Sequence, residues 1–386
     1  MKHISILLVL LLFGRYASAQ ETPSALRVSL VTCSPGTELY SVFGHNALRI
    51  VDSAAGTDIA YNFGTFNFDD PDFYTKFVRG KLMYFLSQEN FSDFLYAYSY
   101  FKRGVTEQVL NLTDAEKKAI QQALFENLSE ENRYYKYDFF YDNCSTRLRD
   151  IIFKSKSSQA FNPPTFLSEE LTFRDHLHTY LDKAKMEWTR LGIDVVLGLE
   201  ADKKMGISNA MFLPEFLLQG AGVASLGNKK LASEPLVLLP DQQPVPVALS
   251  FWQKPIFVFG LVALLLLSNL IFQSGVFFSI QSIVEKILFV SSGLFGCFLL
   301  FLWLGTDHQS MTNNLNLVWA FPLNLFLAFK PKQIPTWLKY YSKIYTVAVL
   351  VLFLVAIIKP GIIPFELFTL MLALSYRSWI WEKSIN

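Results

Sequence analysis

The 386-residue sequence is poor in cysteine, in histidine and in net charge. It contains three cysteines and five histidines, and its formal net charge is +1. No group of residues has metal-ligand spacing, and no glycine-rich loop of the phosphate-binding type occurs. A basic run with interleaved aromatic residues is also missing. We therefore expect no metal, no cofactor and no nucleic-acid partner.

The sequence is instead rich in apolar residues, which make up 52% of the chain and include 36 phenylalanines. This excess lies mainly in the C-terminal third, where five apolar runs approach the length of a bilayer crossing. They predict an all-α membrane domain of about five transmembrane helices over residues 255–386. The runs are 255–272, 287–304, 315–329, 344–358 and 362–381.

The first 19 residues have the pattern of a secretory signal peptide. Lys2 precedes a short apolar core, and Ala17-Ser18-Ala19 is a small-residue cleavage pattern. We therefore expect residues 20–235 to form an exported domain and the proline-rich residues 236–254 to be a linker.

The charges of the membrane loops indicate an orientation. The loop between the second and third runs has no lysine or arginine, whereas the next carries Lys330, Lys332, Lys339 and Lys343. Positive residues are enriched in cytoplasmic loops. We predict a multi-pass inner-membrane protein with a periplasmic N-terminal domain and a cytoplasmic C-terminus.

The exported part has an α+β pattern. Thr113 and Glu116 form a capping-box pattern, which predicts a helix over residues 114–129. A second helical pattern covers residues 172–200. Apolar or aromatic runs of strand length, separated by turn residues, predict strands over 25–33, 45–52, 58–66, 81–88 and 134–141.

The stretch YDFFYDNCSTRLRD holds the first candidate catalytic residue. Asp142 or Asn143 can cap a helix that begins at Cys144. A thiol in the first turn of a helix lies at the positive end of the helix dipole, which favours the nucleophilic thiolate. The unpaired N–H groups of that turn could stabilise an oxyanion.

A cysteine nucleophile needs a base and a residue that orients the base. His45 follows a glycine in SVFGHNALRI, whereas His176 and His178 lie in a charged helical pattern typical of surface or packing histidines. The next predicted strand offers Asn62 or Asp58 as the orienting residue. We select Cys144, His45 and Asn62.

Two further groups of polar residues leave alternatives open. Cys33 is the other cysteine of the exported part, so Cys33 and Cys144 could instead form one structural disulfide. Asp307 and His308 lie in a predicted extracytoplasmic loop, where they could bind a lipid headgroup or be a solvated polar pair.

Several of these motifs resemble one known family. TCSPGTELYSVFGHNALRI, YNFGTF, YDFFYDNCSTRLRD and WTRLGIDVVLGLEADKK are similar to the periplasmic domain of the Lnb-type lipoprotein N-acyltransferases. TDHQSMTNNLNLVWAFPLN is similar to the start of that family's membrane part. The resemblance implies a circularly permuted papain-like, NlpC-like domain with His45 and Cys144 as the catalytic pair.

The resemblance also implies a reaction. An acyl chain would pass from a phospholipid to Cys144 as a thioester, and then to the α-amino group of a diacylated lipoprotein. Phospholipid, diacylated lipoprotein and membrane lipid are the implied partners. Asn143, Asp307 and His308 are the predicted substrate-binding residues.

Two other functions fit the residues. A papain-like domain could be a membrane-tethered amidase or peptidase that acts on cell-wall peptides. A non-catalytic sensor with a Cys33–Cys144 disulfide is the second.

Overall fold

The computed structural model describes residues 25–155, 161–162, 171–226, 229–271, 275–329 and 333–383. The predicted signal peptide, Lys330 and Lys332 lie outside these residues.

A seven-stranded antiparallel sheet organises the N-terminal domain. Its strand order is β10–β5–β1–β2–β3–β4–β6, so β1 and β2 lie near the centre. The strands are β1 (Leu26–Cys33), β2 (His45–Asp52), β3 (Thr57–Thr65), β4 (Met83–Asn90), β5 (Val105–Val109), β6 (Tyr134–Lys136) and β10 (Leu236–Leu239). The short strands β7 (Phe161–Asn162), β8 (Ser225–Leu226) and β9 (Lys229–Lys230) form a second sheet.

Helices cover both faces of the large sheet. The helices of the N-terminal domain are α1 (Phe73–Val78), α2 (Phe91–Tyr100), α3 (Asp114–Leu128), α4 (Cys144–Lys154), α5 (Phe173–Lys183), α6 (Glu187–Val196), α7 (Ile207–Ala210) and α8 (Pro214–Val223). Alternate β1 side chains face opposite sides, as the pleat of a strand requires. Leu30 packs into the core with α3, α4 and α8, whereas Val31 packs on the other face with α2.

Local sequence explains most of these elements, and the predicted α+β class is confirmed for this domain. Thr113 and Glu116 form a full capping box at the start of α3. The predicted helix over 172–200 is instead divided into α5 and α6. The chain turns at Lys185, whose φ of 55° is incompatible with a continuous helix.

The predicted linker over 236–254 is wrong at its first residues. Leu236–Leu239 form β10, which pairs with β5 at the edge of the sheet. Gln242 then donates its backbone N–H to Lys102 O at 3.0 Å. The strand was not predicted because the stretch is rich in proline. Proline is nevertheless tolerated at an edge strand such as β10.

The C-terminal region is helical. Its helices are α9 (Pro255–Leu267), α10 (Val276–Leu304), α11 (Asn324–Leu327), α12 (Thr336–Ile358) and α13 (Phe368–Lys383). Among the described residues, α10 and α12 are long and apolar enough to cross a membrane. The prediction of a spanning helix over 315–329 is wrong, because this run contains a 3-10 turn at Leu315–Val318 and the single turn α11.

Polar side chains explain why the 315–329 run is not a continuous helix. Asn314 donates to the carbonyl oxygens of Val195 and Val196 at 2.9 and 3.0 Å, at the C-terminal end of α6. Asn316 also donates to Val195 O, and it accepts from the Trp319 indole at 2.8 Å. These side chains satisfy carbonyl groups that a helix end leaves unpaired.

Two loops of the helical region contact the N-terminal domain. Gly198 donates to Ser310 O at 2.9 Å, and Arg190 pairs with Glu366 at 2.9 Å. The ends of α10 and α12 therefore lie on the same side of the helical region. With 23 residues, α12 is about 34 Å long. Between these two helices, the described residues 315–329 form no helix longer than four residues.

Candidate active site

Cys144 is the first residue of α4, as predicted. Asn143 rather than Asp142 caps the helix, and its side chain accepts the Thr146 N–H at 2.9 Å. Leu148 and Ile152, one and two turns further on, are fully buried against the sheet. This packing holds the first turn of α4 against strands β2 and β3.

The structure brings the three predicted catalytic residues together and adds a fourth. The His45 imidazole donates from Nε2 to Asn62 Oδ1 at 3.1 Å, which leaves its other ring nitrogen for Cys144. Asn62 Nδ2 in turn donates to Glu89 Oε1 at 3.0 Å. A carboxylate only accepts, so Glu89 fixes the Asn62 amide with its oxygen toward His45.

The pKa values of the pair shift in opposite directions. Burial alone would raise the pKa of the Cys144 thiol, but the charge and hydrogen bond of His45 and the Asn46 backbone N–H outweigh burial and lower it. Burial would lower the pKa of His45, yet the attraction of the Cys144 thiolate and the hydrogen bonds to Cys144 and Asn62 raise it. The arrangement therefore stabilises a thiolate–imidazolium pair.

Asn46 connects α4 to the sheet beside the thiol. Its side-chain oxygen accepts from Ser145 at 2.7 Å, and its amide donates to Thr32 at 2.8 Å. The oxygen of the buried Asn46 side chain is therefore bonded to α4, and its NH2 group is bonded to β1. The Asn46 backbone N–H lies against Cys144 and is available to an oxyanion formed there.

Two glycines allow the backbone to approach the site. Gly44 has φ +82°, and a β-carbon there would lie 2.8 Å from Cys33 O, so only glycine fits before His45. Gly64 has φ +89°, and its open side faces Cys144 and Tyr137.

Cys33 lies beside Cys144 and His45, but its pKa shifts in the opposite direction from that of Cys144. It is opposite His45 in the β1–β2 register, and both Cys33 and Cys144 are free cysteines in the structure. The disulfide alternative is therefore not what the structure contains. Burial raises the pKa of Cys33 to about 12, although a hydrogen bond from Tyr98 opposes this.

The predicted substrate-binding residues have other partners. The Asn143 amide donates to Phe139 O and Phe212 O at 2.8 and 2.9 Å, so its side chain is fully used as a cap. Asp307 pairs with Lys136 at 2.6 Å, and His308 bonds Phe77 O at 3.1 Å. Asp307 and His308 thus connect the loop after α10 to the N-terminal domain.

His176 and His178 do not belong to the cluster. His176 is buried against Phe216, and burial lowers its pKa. His178 pairs with Asp194 at 2.8 Å. This agrees with the expectation that neither is the catalytic base.

Sequence reasoning missed Glu89 and Asn46. Asn46 directly follows His45, so the GHN triplet was a usable signal. Glu89 had no such sequence signal. It lies at the end of β4, and it reaches Asn62 because the register of strands β3 and β4 places it opposite Ala60.

Comparison with known families identifies both halves of the chain. Residues 13–176 match the family model described as the Lnb N-terminal periplasmic domain. Residues 248–384 match the Lnb transmembrane domain. No curated protein and no solved structure matches the chain. Among the described residues, no group of three or more histidine, cysteine, aspartate or glutamate side chains could hold a metal ion.

Proposed function

Because the chain belongs to the Lnb family, a membrane protein family with a periplasmic N-terminal domain, we propose that it is a lipoprotein N-acyltransferase. The observation that carries the proposal is the Cys144 thiol, whose pKa is lowered by His45 in a domain held against membrane helices. A nucleophile at a membrane surface suits a reaction whose substrates are all lipids.

The proposal includes a circularly permuted papain-like fold for the N-terminal domain. A cysteine at a helix start, a histidine on a sheet strand and an orienting amide on the next strand support it. Along the chain His45 precedes Cys144, but such sites are defined by geometry and not by sequence order.

In the first half-reaction, the Cys144 thiolate attacks the carbonyl carbon of a phospholipid ester. The Asn46 backbone N–H and the first-turn N–H groups of α4 stabilise the oxyanion. The His45 imidazolium then protonates the departing lysophospholipid alkoxide as the ester C–O bond breaks. Cys144 is left as a thioester, and His45 is left neutral.

In the second half-reaction, the α-amino group of a diacylated lipoprotein attacks the thioester. Neutral His45 accepts a proton from the amine, the C–S bond breaks, and the Cys144 thiolate is restored. Asn62, oriented by Glu89, keeps the imidazole facing the sulfur in both steps. The products are a triacylated lipoprotein and a lysophospholipid.

This function implies a place in the cell. Acceptor lipoproteins and donor phospholipids meet at the outer leaflet of the inner membrane, so the site must be on the periplasmic side. The lysine-free loop 305–314, which contacts the N-terminal domain, supports this orientation. It follows that the C-terminus is cytoplasmic.

Complementation of a host that lacks its own N-acyltransferase tests the function. The wild-type chain should add one acyl chain to the N-terminal peptide of a reporter lipoprotein, as read by mass spectrometry. Cys144→Ser and His45→Ala should each remove this product, because general acid–base and nucleophilic steps each contribute about 10²-fold or more.

Cys297→Ala is the matched control, since Cys297 is an exposed cysteine on α10 outside the site. It should leave N-acylation unchanged, and all variants should accumulate in the membrane fraction. Full N-acylation by Cys144→Ser would refute the proposal. Release of cell-wall peptides without N-acylation would favour the amidase instead.

A further inference from the structure

A row of aromatic side chains leads away from Cys144. A β-carbon at Gly64 would lie 3.7 Å from both Cys144 Cβ and the Tyr137 ring. The Tyr137 ring is therefore close to the Cys144 side chain. Tyr137 stacks on Tyr84 at 4.4 Å between ring centroids, and Tyr84 contacts Phe66 at 5.3 Å. The row thus begins beside the nucleophile.

The row continues along the segment between β3 and β4. Phe66 contacts Phe68 at 4.6 Å and Phe73 at 5.8 Å, and Phe73 stacks on Phe77 at 6.2 Å. We call these six residues the aromatic track: Phe66, Phe68, Phe73, Phe77, Tyr84 and Tyr137. The side chains of Phe68 and Phe77 are 67% and 50% exposed, and that of the neighbouring Tyr74 is 80% exposed. A contiguous exposed apolar surface usually marks an interaction site.

The far end of the track meets the end of a membrane helix. Phe77 O accepts from His308 at 3.1 Å, and Arg79 O accepts the Asp307 N–H at 3.0 Å. Helix α10 ends at Leu304, only three residues before Asp307. The exposed aromatic residues are therefore at the level where α10 leaves the membrane, where aromatic side chains are enriched.

Positive charge lies at the same end. Lys136 is paired with Asp307 at 2.6 Å, and Lys81 and Arg79 are close enough to act on the Asp307 carboxylate as well. Arg79 and Lys81 are exposed. Three cations around one carboxylate leave net positive charge, which suits the phosphate of a phospholipid headgroup.

We propose that the aromatic track binds an acyl chain of a membrane phospholipid and guides the ester from the outer leaflet to Cys144. Arg79 and Lys81 first attract the headgroup phosphate where the lipid leaves the membrane. Once the ester carbon has reached Cys144, the acyl chain extends from Tyr137 back along the rings. This inference rests on the proposed function for the identity of the donor. The alternative source of an acyl chain, the diacylated lipoprotein, is separated from it by the experiment.

Photolabelling tests the track without acyl transfer. The full-length Cys144→Ser variant is reconstituted in vesicles of phosphatidylethanolamine and phosphatidylglycerol that contain a phosphatidylethanolamine with a diazirine on one acyl chain. We expect label on residues 66–84, and at least about fivefold less in a Phe68→Ser/Tyr74→Ser background. Label on α2 equal to that on residues 66–84 would overturn the proposal. So would label from a diazirine lipopeptide but not from phospholipid.

A second measurement follows the acyl adduct on Cys144 in the protein with an intact thiol. Phe68→Ser/Tyr74→Ser should lower adduct formation from vesicle phospholipid by about tenfold. Alkylation of Cys144 by water-soluble iodoacetamide should stay at the wild-type rate, which shows that the site is folded. The matched control is Tyr96→Ser/Tyr100→Ser on α2, whose rings are 75% and 72% exposed and which should leave adduct formation unchanged.

The outcomes distinguish the track from the function. Equal adduct formation in the wild type and in Phe68→Ser/Tyr74→Ser would overturn the track and leave the function intact. Label on the track without any adduct on wild-type Cys144 would support the lipid-binding surface and refute the acyl-enzyme mechanism.

Discussion

The end of strand β1 and the start of helix α4 each hold a cysteine, and the two thiols behave in opposite ways. Cys33 is buried in the apolar face that packs on α2, and burial raises its pKa to about 12. Cys144 also has apolar neighbours, yet its pKa is lowered. The difference comes from a charged partner, since His45 and the Asn46 N–H stabilise the Cys144 thiolate.

Burial by itself therefore does not predict whether a cysteine is reactive. Desolvation raises the pKa of both thiols, and only a nearby cation or N–H donor reverses the effect. Cys33 has a hydrogen bond from Tyr98 and the charge of Arg103, and the two together do not outweigh burial. Cys33 is therefore an internal control for the proposed nucleophile Cys144.

The largest expected effect is on thiol reactivity. At pH 7, Cys144 should react with iodoacetamide at least about 100-fold faster than Cys33, because a thiol with a pKa of about 12 is ionised to only about one part in 10⁵. His45→Ala should slow Cys144 at least about tenfold, since burial then raises its pKa. Peptide-resolved mass spectrometry measures each cysteine separately.

The pH dependence of Cys144 reactivity tests the same difference between the two thiols. Cys144 reactivity should fall on acidification through its lowered pKa, and His45→Ala should move that fall to higher pH, because burial then raises the pKa of the thiol. Acyl transfer should also decline at high pH, where the imidazolium loses the proton that the leaving group needs. An unchanged profile in His45→Ala would show that the two residues are not coupled.

A smaller effect is expected when the far end of the polar chain is changed. Glu89→Ala should lower N-acylation about two- to tenfold, because it removes one hydrogen bond, worth about 0.5–1.5 kcal/mol, that orients Asn62. Glu89→Gln keeps an acceptor for Asn62 but removes the charge that favours the His45 imidazolium. Its rate should stay near wild type, while the alkaline limb of the pH profile moves to lower pH.

A purely structural role for Glu89 would give a different result. Both substitutions would then lower the thermal midpoint and leave the pH profile unshifted. That outcome would contradict the positioning role.

The smallest effect on activity is expected at Cys33. Cys33→Ala should leave Cys144 alkylation and N-acylation unchanged, and it should cost about 1 kcal/mol of stability through lost packing. The thermal midpoint and the alkylation rate measure the two effects separately. Loss of N-acylation in a stable Cys33→Ala protein would mean that the two thiols act together.

Much of the N-terminal domain could be predicted because its signals are local. The capping patterns at Thr113 and Asn143 fix the starts of α3 and α4, and alternating apolar residues predict β1 and β2. The break at Lys185 was missed, since both sides of it have helical periodicity. The strand β10 was missed because its partner β5 is more than 120 residues away in sequence.

The helical region shows where composition is insufficient. Apolar length alone predicted a helix over 315–329, but Asn314 and Asn316 bind carbonyl groups of α6 in the other domain. Their partners could not be identified from hydropathy. Asp307 and His308, which were predicted to bind substrate, also have their partners in the other domain.

Composition, capping residues and short motifs were enough to predict the two-part architecture, the helix start at Cys144 and His45 as a candidate partner of the thiol. The state of each cysteine, the positions of Glu89 and Asn46 beside the site, and the route of the aromatic track became visible only in the folded chain. These features depend on strand register and on contacts between the domains. Such contacts join residues far apart along the chain, and no local pattern encodes the distance between them.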